Sequence, residues 1–326
     1  MDLYIDYRNL KSFLDSRQSD DFADCERMIK RQLHVIYNME KDFLKSDPIL
    51  CQWVLKLGEG RGDSEKTDSF SSEKFPLRPI KSNAPTQWNR KQLSSIYLID
   101  DEDSSKLKQR GTVLLGNVGE EISELKKLFC GKDYEYHHLY DLQKSFNSWD
   151  QLSKQILPCT DIIINDRYLF KNQVELVDYN LSRMLKVLVA NVQNKINIVF
   201  YTCYNFLKEF NVLQAKDIIK KAIKNINKID PNVTFVTSNS NNLIPHDRFI
   251  ITNYRLIRSG DSFLYFNTEG KRITNGGSLD VDSLANYSTY IYVESLLRKL
   301  QDSYKNIKSK GEQYIIGAKK SNFITF

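Results

Sequence analysis

Apolar and polar positions change period in a regular order along the chain. Short runs rich in β-branched and aromatic residues, "DLYID" at 2–6, "SSIYLIDD" at 94–101, "DIIINDRYLF" at 161–170, "KINIVFYTCY" at 195–204 and "NVTFVTS" at 232–238, predict strands. "YEYHHLYDL" at 134–142 alternates and predicts another. Between them, helical spacing recurs in Phe22, Met28, Ile29, Leu33, Ile36, Met39 and Phe43, in 148–157, 181–192 and 213–226, and over the long stretch 283–307. "TVLLGNVGEEISELKKLF" at 112–129 runs from a strand through a glycine turn into an amphipathic helix. Two further apolar runs, beginning at Arg248 and Arg255, have only Asn253 and Tyr254 between them and predict a hairpin. Strands alternating with helices imply an α/β protein with a largely parallel sheet.

The pattern also divides the chain. From Gly58 to Arg90 the sequence is dominated by Gly, Ser, Pro and charge, with too few apolar residues to pack, which predicts a linker or long loop. Its Arg61-Gly62-Asp63 triplet carries no weight, because such short motifs recur by chance. The expected organisation is a mixed α/β N-terminal segment 1–57, a linker 58–92, a βα segment 93–159 packing with the N-terminal part, an α/β domain 160–308 and a basic tail 309–326. At 326 residues, two domains fit better than one.

Composition sharpens this picture in three ways. Hydrophobic residues at 41% and aromatics at 12% supply a substantial core. No apolar run approaches the roughly 20 residues needed to span a bilayer, and the acidic N-terminus is unlike a signal peptide, so a cytoplasmic location is expected. The five cysteines are odd in number and form no Cys-x-x-Cys pair, which argues for buried thiols rather than disulfides or zinc ligands. Charge is uneven. Residues 161–326 hold 23 Lys and Arg against 15 Asp and Glu, a balance of +8; with 47 and 41 in the whole chain, residues 1–160 carry 24 against 26, or −2. A basic second half favours a polyanionic partner, either nucleic acid or an anionic membrane surface. The plain alternative is a set of solvated lysine faces, as in "AKDIIKKAIKNINK".

Several short motifs carry candidate chemistry. The turn "LLGNVGEE" lacks phosphate-loop spacing, and Glu120 and Glu121 at the helix start disfavour an anion. Asp6, with Asn9 behind it, and Asp100 with Asp101 end two strands; converging carboxylates of that kind hold metal in nucleases of the PIN type, although strand-end aspartates more commonly cap helices. His137 and His138 are adjacent, so on a strand they face opposite ways.

"IPHDRFIITNYRLIRSGDSF" at 244–263 carries more. His246 is followed two residues later by Arg248, after four more by Asn253, and after six more by Gly260, with Asp261 and Ser262 next. This spacing resembles the His-x-Lys-x4-Asp and Gly-Ser signature of the phospholipase D-like superfamily, and the order of predicted elements over Asp161 to Ile307 is similar to that family's. The resemblance implies a metal-independent phosphodiesterase or nuclease without a cofactor. His246 would be the nucleophile, Arg248 would hold phosphate in place of lysine, and Asn253, Gly260 and Ser262 would complete phosphate binding. A histidine can attack phosphorus while a cation two positions along the strand binds a non-bridging oxygen. Asn253 stands where the family has aspartate and Asp261 where it has serine. That family's site uses two such motifs, yet His34, His137 and His138 begin no second His-x-Lys or His-x-Arg pair, so an active form requires a homodimer through the C-terminal domain. Lone domains of this kind joined to α/β segments look like components of bacterial defence or DNA-processing systems. Degenerate versions resemble modules that bind anionic lipid headgroups without cleaving them. A third possibility is a scaffold subunit in a multi-protein complex, with 58–90 ordering on a protein partner.

Overall fold

A computed structural model describes residues 1–16, 23, 25–26, 29, 33–38, 45–58, 70–71, 93–98, 114–116 and 118–129, and residues 137–326 except 143, 193–194 and 274–276. The chain is α/β and divides into two units: residues 1–136 with 285–287, and 137–284 with 288–326.

In the first unit, strands β1 (Asp2–Asp6), β2 (His34–Asn38), β3 (Phe70–Ser71), β4 (Ile96–Leu98) and β5 (Leu114–Gly116) form a sheet of order β3-β2-β1-β4-β5. Every pairing in it is parallel. Helix α1 (Tyr7–Asp15) leaves β1 directly, and Leu10, Phe13 and Leu14 bury its apolar stripe. Helices α2 (Pro48–Gly58) and α3 (Val118–Leu128) follow β2 and β5. One expectation fails here: the helical spacing read across Phe22 to Leu44 contains β2. Leu33 and Val35 are buried at 1% and 0% exposure, and the run Val35-Ile36-Tyr37 suits a strand covered on both faces better than a helix. Most of the expected linker lies outside the described residues, apart from Gly58, which ends α2, and Phe70–Ser71, which form β3.

The second unit is built on an eight-stranded mixed sheet. Its strands are β6 (His137–Asp141), β7 (Asp161–Asn165), β8 (Asn197–Thr202), β9 (Asn232–Thr237), β10 (Arg248–Ile251), β11 (Arg255–Ser259), β12 (Ser278–Ser283) and β13 (Ile315–Gly317), in the order β13-β9-β8-β7-β10-β11-β12-β6. β7, β8 and β9 are parallel, joined through α4 (Val174–Leu188) and through α5 (Tyr204–Phe210) with α6 (Val212–Asn227). Three consecutive isoleucines in β7 are wholly buried, as expected of a strand covered on both faces. β10 then enters antiparallel beside β7, placing Phe249 opposite Asn165. The predicted hairpin follows: Thr252 N–H donates to the Arg255 carbonyl at 2.9 Å across Asn253 and Tyr254. Helix α7 (Tyr287–Lys310) closes the pattern with Val293, Leu296, Leu297, Leu300, Tyr304 and Ile307 inward.

Two boundaries differ from expectation. Residues 137–159, expected to pack with the N-terminal part, belong to the second unit, where β6 pairs with β12 and a 3-10 helix (Trp149–Lys154) is capped by Ser148. The stretch 309–326 is not merely a tail. Its strand β13 pairs antiparallel with β9, and beyond it Ser321 Oγ, Asn322 N–H and Asn322 Nδ2 donate to the buried Asp161 carboxylate at 3.0, 2.7 and 2.6 Å. Its basic composition concealed short apolar anchors, among them Ile315 and Ile324, exposed by 4% and 1%.

Candidate functional site

At the carboxyl end of β7 the chain continues as Asn165-Asp166-Arg167-Tyr168, and the antiparallel register sets the start of β10 beside it. Open α/β sheets receive ligands at this end of their strands. Asn165 Nδ2 donates to the Pro245 carbonyl at 3.2 Å and also to the Asp247 carbonyl, fixing the His246 loop against β7.

His246 lies two residues before the start of β10 and is exposed. Strand alternation therefore does not set its direction. Both it and Arg248 neighbour a third residue, Tyr168: the His246 ring stands edge-on to the Tyr168 ring at 5.9 Å and 73°, and the Arg248 guanidinium carbon lies 5.5 Å from the same ring centre. Among the described residues neither His246 nor Arg248 forms an ion pair, so neither is spent on Asp247 or Asp261.

Arg248 is incompletely answered. Nη1 donates to the Gly260 carbonyl at 3.1 Å, while the buried Nε has no acceptor among the described residues. A guanidinium carries five N–H donors. The buried Nε without a partner costs about 1–3 kcal/mol, and since Arg248 forms no ion pair among the described residues, an oxyanion reaching its guanidinium gains a charge-assisted bond without first displacing an ion-paired carboxylate.

Asp166, exposed by 1%, organises the floor. Its carboxylate accepts from Tyr168 N–H at 2.9 Å, Ser262 Oγ at 2.6 Å and Phe263 N–H at 2.9 Å. Burial lifts its pKa above the usual carboxylate value, opposed by these hydrogen bonds and by the Arg248 charge. Tyr265 below donates to Ser259 Oγ at 2.6 Å, and burial pushes its phenol upward as well.

The expected phosphate-binding residues thus separate. His246 and Arg248 share one neighbour, the Tyr168 ring. Gly260 is adjacent but supplies a carbonyl to Arg248, and its N–H is taken by the Ser278 carbonyl at 3.3 Å. Ser262 is adjacent too, with its hydroxyl proton committed to Asp166. Asn253 is elsewhere: it lies past the far end of β10, wholly buried, where Oδ1 accepts from Thr160 and Asp161 N–H at 2.9 and 3.3 Å. It fixes the entry to β7 rather than a ligand. An antiparallel strand carries residues five positions apart to opposite ends of the sheet, which linear spacing does not register.

Sequence reading missed Tyr168, Asp166, Arg167, Lys171 and Phe206. Arg167, exposed by 8%, donates through Nη2 to the Asn239 carbonyl at 2.6 Å, and its buried Nη1 has no acceptor among the described residues. Lys171 Nζ lies 5.8 Å from the Tyr168 ring centre and 5.6 Å from that of Phe206. The signal for residues 166–168 was "NDRYLF" at 165–170, where three buried isoleucines give way to polar and charged residues at the carboxyl end of a strand; it reaches neither Lys171 nor Phe206.

Other candidates resolve into local structure. Asp6 caps α1, accepting from Asn9 N–H at 2.8 Å and Asn9 Nδ2 at 3.0 Å, while Asp100 and Asp101 lie outside the described residues. Among the described residues no group of three His, Cys, Asp or Glu side chains could hold a metal ion. His137 contacts Asp282 at 2.8 Å and Asp280 at 3.5 Å, and His138 packs against Tyr140. His34 contacts Asp2 at 3.2 Å. The chain matches no protein-family model and no curated protein.

Proposed function

We propose that residues 137–326 form a phosphodiester-directed domain, phospholipase D-like in its His-x-Arg motif, that acts on or binds nucleic acid. The observation that carries this reading is the Arg248 guanidinium, with a buried Nε left unanswered, sharing Tyr168 with an unpaired His246 at the carboxyl edge of β7. The +8 balance of residues 161–326 supplies long-range attraction for a polyanion. In a hydrolytic cycle His246 attacks phosphorus as the P–O bond to the leaving group breaks, Arg248 holds a non-bridging oxygen, and a second imidazole from a second copy protonates the leaving oxygen; that imidazole then takes a proton from water, which attacks phosphorus, breaks the N–P bond and frees His246.

A second reading, binding without turnover, is favoured by one specific observation: among the described residues no carboxylate or second imidazole contacts the His246 ring to orient it. The experiment incubates the full chain and its His246→Ala and Arg248→Ala variants with single- and double-stranded DNA and RNA in chelator. Binding is followed across a salt series, with anionic vesicles as a parallel arm. Arg248→Ala is expected to weaken nucleic-acid binding about tenfold or more and to lower the salt slope by about one. Hydrolysis that survives His246→Ala unchanged excludes His246 as nucleophile. Vesicle binding without oligonucleotide binding replaces nucleic acid by lipid headgroups.

A further inference from the structure

We infer that this site takes an unpaired nucleotide, with the half-buried rings of Tyr168 and Phe206 serving as the platform for a base beside the phosphate held at Arg248. The inference rests on the phosphate reading above and adds the substrate class: single-stranded nucleic acid.

Cations and rings alternate across the cluster. Arg248 stands 5.5 Å from the Tyr168 ring, Lys171 stands 5.8 Å from Tyr168 and 5.6 Å from Phe206, and the two rings are 6.0 Å apart at 37°. A polynucleotide alternates phosphate and base in the same way, and proteins that hold single strands combine a cationic track with aromatic faces. Among the described residues neither Arg248 nor Lys171 forms an ion pair, although the Arg248 charge acts on the buried Asp166 carboxyl. Tyr168 is also held in place. Its N–H donates to Asp166 Oδ1 at 2.9 Å, its carbonyl accepts from Lys171 N–H at 3.0 Å, and its chain neighbours Arg167 and Leu169 are buried. Yet the ring itself remains half-buried. An anchored, half-buried aromatic with two cations near its ring suits a planar ligand that carries negative charge beside it. Duplex DNA keeps its base faces stacked inside the helix and offers this ring none.

The test measures binding of the full chain to a single-stranded oligodeoxythymidine of about a dozen nucleotides, to an abasic strand of equal length, and to a duplex. The base-bearing strand is expected to bind roughly five- to 150-fold more tightly than the abasic strand, the range that stacking of one base supplies. Tyr168→Leu and Phe206→Leu are each expected to narrow that ratio. The ratio in the unsubstituted protein stands as a test even if a variant fails to fold. A ratio near one, with both strands still lost in Arg248→Ala, overturns the platform and leaves the phosphate site intact. Tighter binding of duplex than of single strand also overturns it. Binding of neither strand, or no effect of Arg248→Ala, removes the phosphate reading and this inference with it.

Discussion

Arg248 and Asn253 sit five residues apart in the sequence, Arg248 at the start of β10 and Asn253 in the turn past its other end. Their substitutions should therefore separate. Asn253→Ala removes the acceptor for two buried N–H groups, those of Thr160 and Asp161, and is expected to cost about 1–3 kcal/mol in denaturant unfolding while leaving the salt slope of oligonucleotide binding untouched. Arg248→Ala is expected to do the reverse. The His-x-Arg pair was legible in the sequence because its spacing is local. Asp166 and Tyr168 were not, because they reach the pair from some 80 residues earlier, through the register that sets Phe249 opposite Asn165. The placement of Gly260 and Ser262 was half legible: both border the site, but their donors are already committed within the protein.

Strands supplied most of what could be read in advance at the level of elements. β7, β8 and β9 announce themselves by unbroken apolar runs, and the β10–β11 hairpin by its two-residue gap. β2 was misread because an apolar run of a few residues fits helical and strand spacing alike. β13 was missed because three residues carry almost no pattern, and the element is specified by pairing with β9 and by the Asp161 anchor. That anchor has a definite pH signature. Burial raises the Asp161 pKa, while the hydrogen bonds from Asn322, Thr160 and Asn197 pull it down. A raised carboxyl pKa favours the protonated folded state, so its contribution is most favourable in acid and is lost as pH rises through the folded value. Asn322→Ala removes one of the opposing bonds, that from the side-chain Nδ2, leaves the backbone N–H bond in place, and raises the pKa further. Its loss of stability should be larger near neutral pH than in acid below the usual carboxylate value of about 3.9, as read from denaturant midpoints at the two pH values.

The whole molecule is two units whose α/β character was plain from alternating patterns, whereas the boundary at 136 and 137 was not, because β6 is an edge strand whose partner, β12, is far away in sequence. Among the described residues no helix is long and apolar enough to cross a membrane. The first unit should respond to alkali. Tyr4 stacks on Tyr97 at 4.9 Å, and burial, with the Asp2 charge and hydrogen bond, pushes its pKa from 10.0 up to about 12. Its neutral phenol contributes stability fully below pH 10, and that contribution is lost as pH rises from 10 towards 12. Tyrosinate absorbance should place one such ionisation in that window, and Tyr4→Phe should remove it. In the second unit, residues 166–168 and 246–248 meet only when β10 has docked on β7. A ligand of these residues recognises the assembled sheet and nothing in the loose chain, so it should raise the melting temperature of that unit in proportion to the logarithm of its concentration. At a hundred times its dissociation constant the gain is about 2.7 kcal/mol, enough for a thermal-shift screen of oligonucleotides and headgroups to separate a nucleic-acid ligand from a lipid one.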